Sequence, residues 1–414
     1  MITGDHAAIA KETCRQLGMG DNILLPDGLP TFDPTAEIPP TLGDDYGELI
    51  ESTDGFAQVF PEHKFLIVEA LRQKGYSCGM TGDGVNDAPA LKKADVGIAV
   101  QGATDAARAA ADLILTAPGL SVIVDAIILS RSIFQRMKNY VIYRVACTIQ
   151  LLSFFFLAVL FVHPRKYNAD FDESYFNLPV MALVLITILN DGTIISIAYD
   201  HVVPSPRPEK WNLKVLFSVA TWLGFVAVAS SMLLLHWALD SHNPNGFLQG
   251  TLGMDPLPYK QVMTLVYLKI SLSDFMTVFT ARTQGLFYTR APGKLLFGAA
   301  CVATGASTLL SAAWPFGETL ESLSAGHVLF VWVYCVAWFL IQDLAKVAIY
   351  QVLFTFDVSG IRTEDEKCQA RAQTTSPEAR LTRLESEVSD IQKFMAMAKA
   401  SDYKAIELAS NTGM

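Results

Sequence analysis

The spacing of apolar and polar positions changes twice along the chain. Up to about residue 130, helical and strand-like patterns alternate. Ala7 to Leu17 carries helical spacing, and Pro61 to Lys74 opens on a proline, a favoured first helical residue, before running PEHKFLIVEALRQK. YSCGM, VGIAV and DLILT are short strand-like runs between turn signals. This alternation predicts a parallel sheet with helices packed on it, and the Pro-, Gly- and Asp-rich stretch 20–47 reads as a surface loop.

From residue 133 onward the apolar runs lengthen. Six of them, about 133–162, 178–198, 213–239, 259–281, 294–314 and 327–354, reach or approach the ~20 residues that cross a bilayer as a helix. An even number returns both ends to one side. Loops on that side carry Arg207, Lys210 and Lys214, then Arg282, Arg290 and Lys294, whereas the opposite loops carry only Arg165 and Lys166 beside several acids. The positive-inside rule therefore predicts that residues 1–130 and the tail are cytoplasmic. Beyond Phe354 the chain is polar, with Leu381, Leu384, Val388, Ile391, Met395 and Ala398 stepping by three and four. That stripe predicts either an amphipathic helix docking on a partner or on the protein itself, or a solvated tail. The expected organisation is an α/β domain at 1–130, a membrane bundle at 131–354 and a regulatory tail at 355–414.

Composition agrees. Of 414 residues 51% are apolar, more than a soluble enzyme needs, and the net charge of −10 without a basic run argues against a nucleic-acid partner. Six scattered cysteines form no C-x-x-C pair, so neither a disulfide framework nor a zinc site is signalled. No apolar stretch with a basic flank and cleavage site opens the chain, so no secretory signal peptide is expected.

One polar stretch stands out, MTGDGVNDAPAL at Met80 to Leu91. A strand ending in Gly-Asp-Gly puts its carboxylate at the carboxyl edge of a sheet, where open α/β folds bind ligands. Asp83, Asn86 and Asp87 offer hard oxygens, which magnesium takes together with water and phosphate. TGD recurs at Thr3 to Asp5, and Lys64 lies on an intervening helix. Two such turns and a lysine suit the surroundings of one phosphoryl group.

MITGD, GFAQVFPEHK, MTGDGVNDAPALKKADVGIAV and DAARAAADLIL resemble the second half of the phosphorylation domain of P-type cation pumps, with TGDGVNDAPA highly specific to them. NDGTIISIAYD followed by PSPRPEKWNL is similar to the plasma-membrane proton pumps, and the resemblance covers residues 1 to 354. It implies a haloacid-dehalogenase-like, Rossmann-like α/β partial domain followed by an all-α six-helix transmembrane bundle. It also implies ATP-driven proton export through an aspartyl-phosphate cycle, with Mg²⁺ as cofactor and ATP as substrate. By that resemblance Asp83 is the magnesium ligand and Asp87 assists; Lys64 contacts the phosphoryl group, Asn86 belongs to its environment, and Thr3, Gly4 and Asp5 form the other wall. The Asp-Lys-Thr-Gly-Thr phosphorylation sequence of those pumps does not occur here, nor do the nucleotide domain, the actuator domain and the first four spans. The chain is thus expected to be a carboxyl-terminal piece, with Met1 an internal methionine or the start of a truncated gene, and to be inactive without its amino-terminal part.

Within the second span, Asp191 is an ionisable group at a depth where such groups mark function. Burial there would disfavour the charged carboxylate, so that small changes of surroundings load or release a proton. Asn190 beside it is expected to donate a hydrogen bond, and Gly192 to loosen the helix; satisfaction by Thr187 is the structural alternative. In the resembled pumps the Asp at this position is the proton acceptor. Arg144 and Gln150 lie on the first span: Gln150 replaces a plant-type arginine or fungal-type histidine, and Arg144 matches a fungal-type arginine, which makes it the candidate counter-charge unless it snorkels to the interface. Lys269 with Asp274 and Asp343 with Lys346 are expected as structural pairs. Small residues in GAACVATGAST predict close helix packing in lipid. Two other readings stay open: a stand-alone membrane protein with a phosphatase-like magnesium domain in a binding or regulatory role, and a P-type pump for another cation.

Overall fold

A computed structural model describes residues 1–30, 39–169, 171, 173–205, 208–316 and 319–356, in two compact units divided between Ile127 and Ile128. Arg207 and the Leu381 to Ala398 stripe lie outside the described residues.

In the first unit, α1 (Ala7–Leu17), β1 (Ile23–Leu24), α2 (Leu42–Glu51), β2 (Gly55–Phe56) and α3 (Pro61–Gln73) form one group. β1 and β2 pair in parallel, Ile2 bridges to Phe56, and Leu42, Ile50, Phe56, Leu66 and Ile67 share one buried cluster. The stretch 20–47 is therefore more than a loop, since it contains β1 and the start of α2. Two glycines and two aspartates in LGDDYGELIE mask that helix in the sequence, yet Gly43 and Gly47 are where it packs closely: a Cβ on Gly47 would meet the Lys74 side chain at 2.5 Å.

β3 (Gly79–Gly82), α4 (Ala88–Lys93), β4 (Val96–Ala99), α5 (Asp105–Ala110) and β5 (Leu113–Ile114) follow as a parallel sheet in the order β3-β4-β5, crossed over by short helices. The register sets Gly79 against Val96 and Gly82 against Ala99, so β3 runs directly into the acidic turn. Close approach of α4 to β4 depends on Gly97, where a Cβ would stand 2.4 Å from the Leu91 carbonyl oxygen.

The second unit is helical: α6 (Ser121–Phe161), α7 (Val180–Ile195), α8 (Leu213–Leu239), α9 (Tyr259–Ala281), α10 (Lys294–Ala312) and α11 (Ala325–Thr355). With the short continuation of α7 to Tyr199, these are six helices long and apolar enough to cross a membrane. α6 starts at Ser121 rather than near 133; at 41 residues it is about 60 Å long, roughly twice the hydrocarbon thickness, and Asp125, Arg131, Arg136 and Lys138 occupy its polar first half. α9 packs against α7, α8, α10 and α11 and is buried along most of its length. A helix enclosed by protein needs no apolar surface for lipid, which explains how α9 tolerates Lys269, Ser271, Asp274, Thr277 and Thr280 in its buried face.

One end of this unit is tied by Arg282. Its guanidinium forks onto Asp200, Nε donating to Oδ2 at 2.9 Å and Nη2 to Oδ1 at 3.2 Å, with both side chains buried. The same guanidinium donates to the carbonyls of Arg290 at 2.5 Å and Ala291 at 2.8 Å, while Gly293 N–H donates to Asp200 Oδ1 at 2.9 Å. Arg136 Nε on α6 donates to the Asp200 carbonyl at 2.9 Å. Removing one member of a buried pair strands the other charge, so Arg282→Met or Asp200→Asn should each cost about 3–5 kcal/mol of stability. Unfolding of the reconstituted protein by a denaturing detergent checks this, and the double variant should be milder than the sum of the two.

Candidate functional site

Two clusters carry the ionisable residues singled out by the sequence. In the α/β unit, β3 ends at Gly82, where a Cβ would lie 2.5 Å from that of Asp87; glycine lets the chain fold back so closely. Val100 N–H holds the Gly82 carbonyl at 3.2 Å and Thr104 N–H holds that of Asp83 at 2.8 Å, which fixes the turn. The buried Asp87 carboxylate points back into it, Oδ2 accepting from the backbone N–H of Asp83 at 3.2 Å and of Gly84 at 3.3 Å. Lys64, in the first turn of α3, donates from Nζ to Asp87 Oδ1 at 2.7 Å.

Burial alone would push the Asp87 carboxyl up, but the Lys64 ammonium and the two backbone N–H groups outweigh it and hold the group below its ordinary range. Asp87, expected to assist as a magnesium ligand, thus has both oxygens engaged. Asp83 and Asn86 are the exposed oxygen donors of this turn. Magnesium asks for one or two carboxylates with water and phosphate completing its shell, and the exposed Asp83 carboxylate beside a lysine fits that demand.

The other TGD turn is attached to the same helix start. Thr3 N–H donates to the Phe56 carbonyl at 3.0 Å, Val59 N–H to that of Thr3 at 3.2 Å and Gln58 N–H to that of Asp5 at 3.0 Å. Thr3 Oγ1 donates to Asp5 Oδ2 at 2.9 Å, and Gly4 leaves room toward the Val59 carbonyl. The linker from β2 to α3 therefore binds the first turn through Gln58 and Val59, while α3 reaches the second through Lys64. Gln58 was not singled out by sequence; it sits at φ 57°, a left-handed conformation uncommon for a residue with a Cβ.

In the helical unit, Arg144 on α6 donates from Nη1 to Asp191 Oδ1 on α7 at 2.6 Å. This pair is on the outer face of the described helices, with side chains 41% and 53% exposed, so the burial expected of Asp191 at membrane depth does not come from these helices. Asn190 does not donate to it. Successive helical residues differ by about 100° in direction, and Asn190 faces inward, accepting from Tyr143 Oη and donating to Asp274 Oδ2 at 3.4 Å. Thr187 donates to the Leu183 carbonyl instead of Asp191. Gln150 is buried, and among the described residues its Nε2 has no hydrogen-bond partner. The expected Lys269–Asp274 pair does not form, because a separation of five turns the two side chains about 140° apart. Lys346 and Asp343 do pair, at 2.6 Å. Tyr143 had no sequence signal beyond its place beside Arg144, and Asp200 and Arg282 are distant in sequence with no pattern to join them.

The fold and these clusters define a haloacid-dehalogenase-like α/β domain joined to a multi-pass membrane bundle. Residues 1–95 match the haloacid dehalogenase-like hydrolases. Over its whole length the chain is 44% identical to the "Probable proton ATPase 1B" of Leishmania donovani, covering 43% of that protein. Over 87% of its length it is 48% identical to "Probable proton ATPase 1A" of the same organism, covering 39% of it; the "Probable plasma membrane ATPase" of Dictyostelium discoideum is 38% identical over 85% of the chain, which covers 33% of it. The chain is thus similar to proton ATPases over most or all of its own length, and it spans less than half the length of these relatives.

The Lys64–Asp87 pair has a pH signature. A carboxyl held below its unfolded value of about 3.9 contributes stability that is complete above that value and is lost as pH falls through the folded one. Asp87→Asn should therefore weaken protection of α3 and β3 amides in hydrogen exchange at neutral pH by about 1–3 kcal/mol, and the difference from the parent should shrink below pH 4.

Proposed function

We propose that this chain is the carboxyl-terminal part of a plasma-membrane proton pump, in which ATP hydrolysis through an aspartyl phosphate drives protons out of the cytoplasm. The α/β unit and the tail lie on the cytoplasmic side, and the nucleophilic aspartate, nucleotide and actuator domains belong to the amino-terminal part of the same pump. The observation that carries this reading is the Asp191–Arg144 contact inside two membrane-crossing helices. Helix motion that makes and breaks this contact alternates the partner of the Asp191 carboxyl between the guanidinium and the transported proton.

In the phosphoryl site, Mg²⁺ bound at Asp83 would neutralise phosphoryl charge. Asp87 positions Lys64 at the mouth of the turn and, through the Asp83 and Gly84 N–H groups, holds the Asp83 backbone. Thr3, Gly4 and Asp5 supply the opposite wall, and Asn86 an amide at its rim.

In the complete pump, Asp191→Asn should preserve phosphorylation from ATP while proton uptake into sealed vesicles disappears. ATP-driven acidification by that variant would refute the carrier role. Asp83→Asn should abolish magnesium-dependent phosphorylation altogether, measured as acid-stable incorporation of labelled phosphate; normal incorporation would remove Asp83 from the metal site.

A further inference from the structure

We propose that Lys269 is a second proton-binding site of the membrane unit, an amine that passes between its charged and neutral forms inside the bundle. The residue lies near the middle of α9 and is 1% exposed. Its Nζ donates to two uncharged acceptors on α8, the Ala227 carbonyl at 3.2 Å and Ser231 Oγ at 2.5 Å. Lys346, also buried in this unit, shows what a permanent charge requires: its three N–H groups meet Asp343 Oδ1 at 2.6 Å, the Thr280 carbonyl at 3.0 Å and Thr283 Oγ1 at 3.1 Å. Lys269 has two partners in place of three, and among the described residues no carboxylate forms an ion pair with it. An enclosed ammonium without a counter-ion is costly, and giving up the proton removes that cost.

The partners on α8 also count against a fixed ammonium. The Ala227 carbonyl offers two lone pairs, yet Ser230 Oγ and Ser231 Oγ both donate to it at 2.8 Å, beside Lys269 and the Ser231 N–H of the helix ladder. Four donors thus compete for one oxygen. In the neutral amine the nitrogen becomes an acceptor, and the Ser231 hydroxyl can turn its proton from Ala227 to Nζ along the 2.5 Å contact already present. The same three groups therefore serve both forms, at the expense of one hydroxyl rotation. Lys269 also lines a slot of about 270 Å³ between α8, α9 and α11, shared with Ser230, Ser273 and Gln342 and rimmed by the half-buried Val226 and Trp338. That slot gives an arriving proton space beside the nitrogen.

The charges around it are few or engaged elsewhere. Asp274, five residues on along α9, points about 140° away, and Cys335 on α11 faces the Lys269 carbonyl with Sγ at 3.8 Å. Tyr334 on α11 donates to the Ser230 carbonyl at 2.7 Å, and Asp343 is held by Lys346. α8 carries Lys214 and His236 near its two ends, α10 starts with Lys294, and on α7 Asp191 is taken by Arg144. Proton binding at Lys269 rests on this geometry and not on Asp191 as carrier.

Nitrogen NMR of the chain in lipid nanodiscs, with lysine labelled at Nζ, tests the site. The signal lost in Lys269→Gln should move from the ammonium to the amine position as pH is raised, while exposed lysines still give the ammonium signal. Ser231→Ala keeps the lysine and removes a partner, so it should displace the same signal, which preserves the test if the glutamine variant does not fold. A Lys269 signal that stays with those of the exposed lysines throughout overturns the proposal irrespective of any pumping measurement. Thermal unfolding gives an independent reading. Arginine keeps its charge in proteins, so Lys269→Arg should unfold at a lower temperature than Lys269→Gln. An equal or higher temperature would mean that the site holds a permanent cation, and would overturn the proposal.

Discussion

The buried fork of Arg282 onto Asp200 is the constraint around which one end of the helical unit is organised. It joins the residue following the α7 continuation to the residue following α9, and its spare donors and acceptors engage the loop that leads into α10 and the side of α6. Charges so placed are favourable only when nearly every donor and acceptor finds a partner. The carbonyls of Arg290 and Ala291 and the Gly293 N–H complete that set, and Gly293 packs against the Tyr199 carbonyl. Three helix ends and the side of α6 thus depend on one ion pair for their relative placement.

The same rule sorts the acidic residues of the chain by role. Asp87, Asp200 and Asp343 are enclosed and fully partnered, so they hold backbone and cations in place. Asp83 and Asp191 are exposed, one with its carboxylate at the mouth of a strand-end turn and the other with a single guanidinium. A carboxylate with open positions can change partner, which a fully satisfied one cannot do cheaply.

Much of this was readable in the sequence. Long apolar runs identify membrane helices because lipid demands uniform side chains over about 20 residues, and the TGDGVNDAPA turn is dense in residues with specific backbone and ligand properties. Lys64 was found from its place on the helix between the turns. What escaped had no local pattern: α2 is disguised by Gly43, Gly47 and two aspartates, and Asp200 and Arg282 are 82 positions apart. The direction of Asn190 also escaped, since adjacency in sequence suggests a bond to Asp191 whereas the helix turn sends the amide the other way. Which helices cover Asp191 was also beyond the sequence, because apolar neighbours along one helix do not reveal the face that other helices meet.

The enclosure of α9 bears on how this protein enters a membrane during synthesis. Lys269 and Asp274 near the centre of one helix together oppose insertion by about 5–7 kcal/mol, and the apolar residues of that helix return only a few tenths of a kcal/mol each. Presented alone to lipid, α9 is a poor candidate for the bilayer. The Ala227 carbonyl and Ser231 hydroxyl on α8 supply the Lys269 ammonium with the polar contacts that lipid lacks. Translocation of this segment is therefore a joint event, in which α8 must still be at hand when α9 leaves the ribosome, and the order of helices along the chain becomes part of the information that builds the bundle.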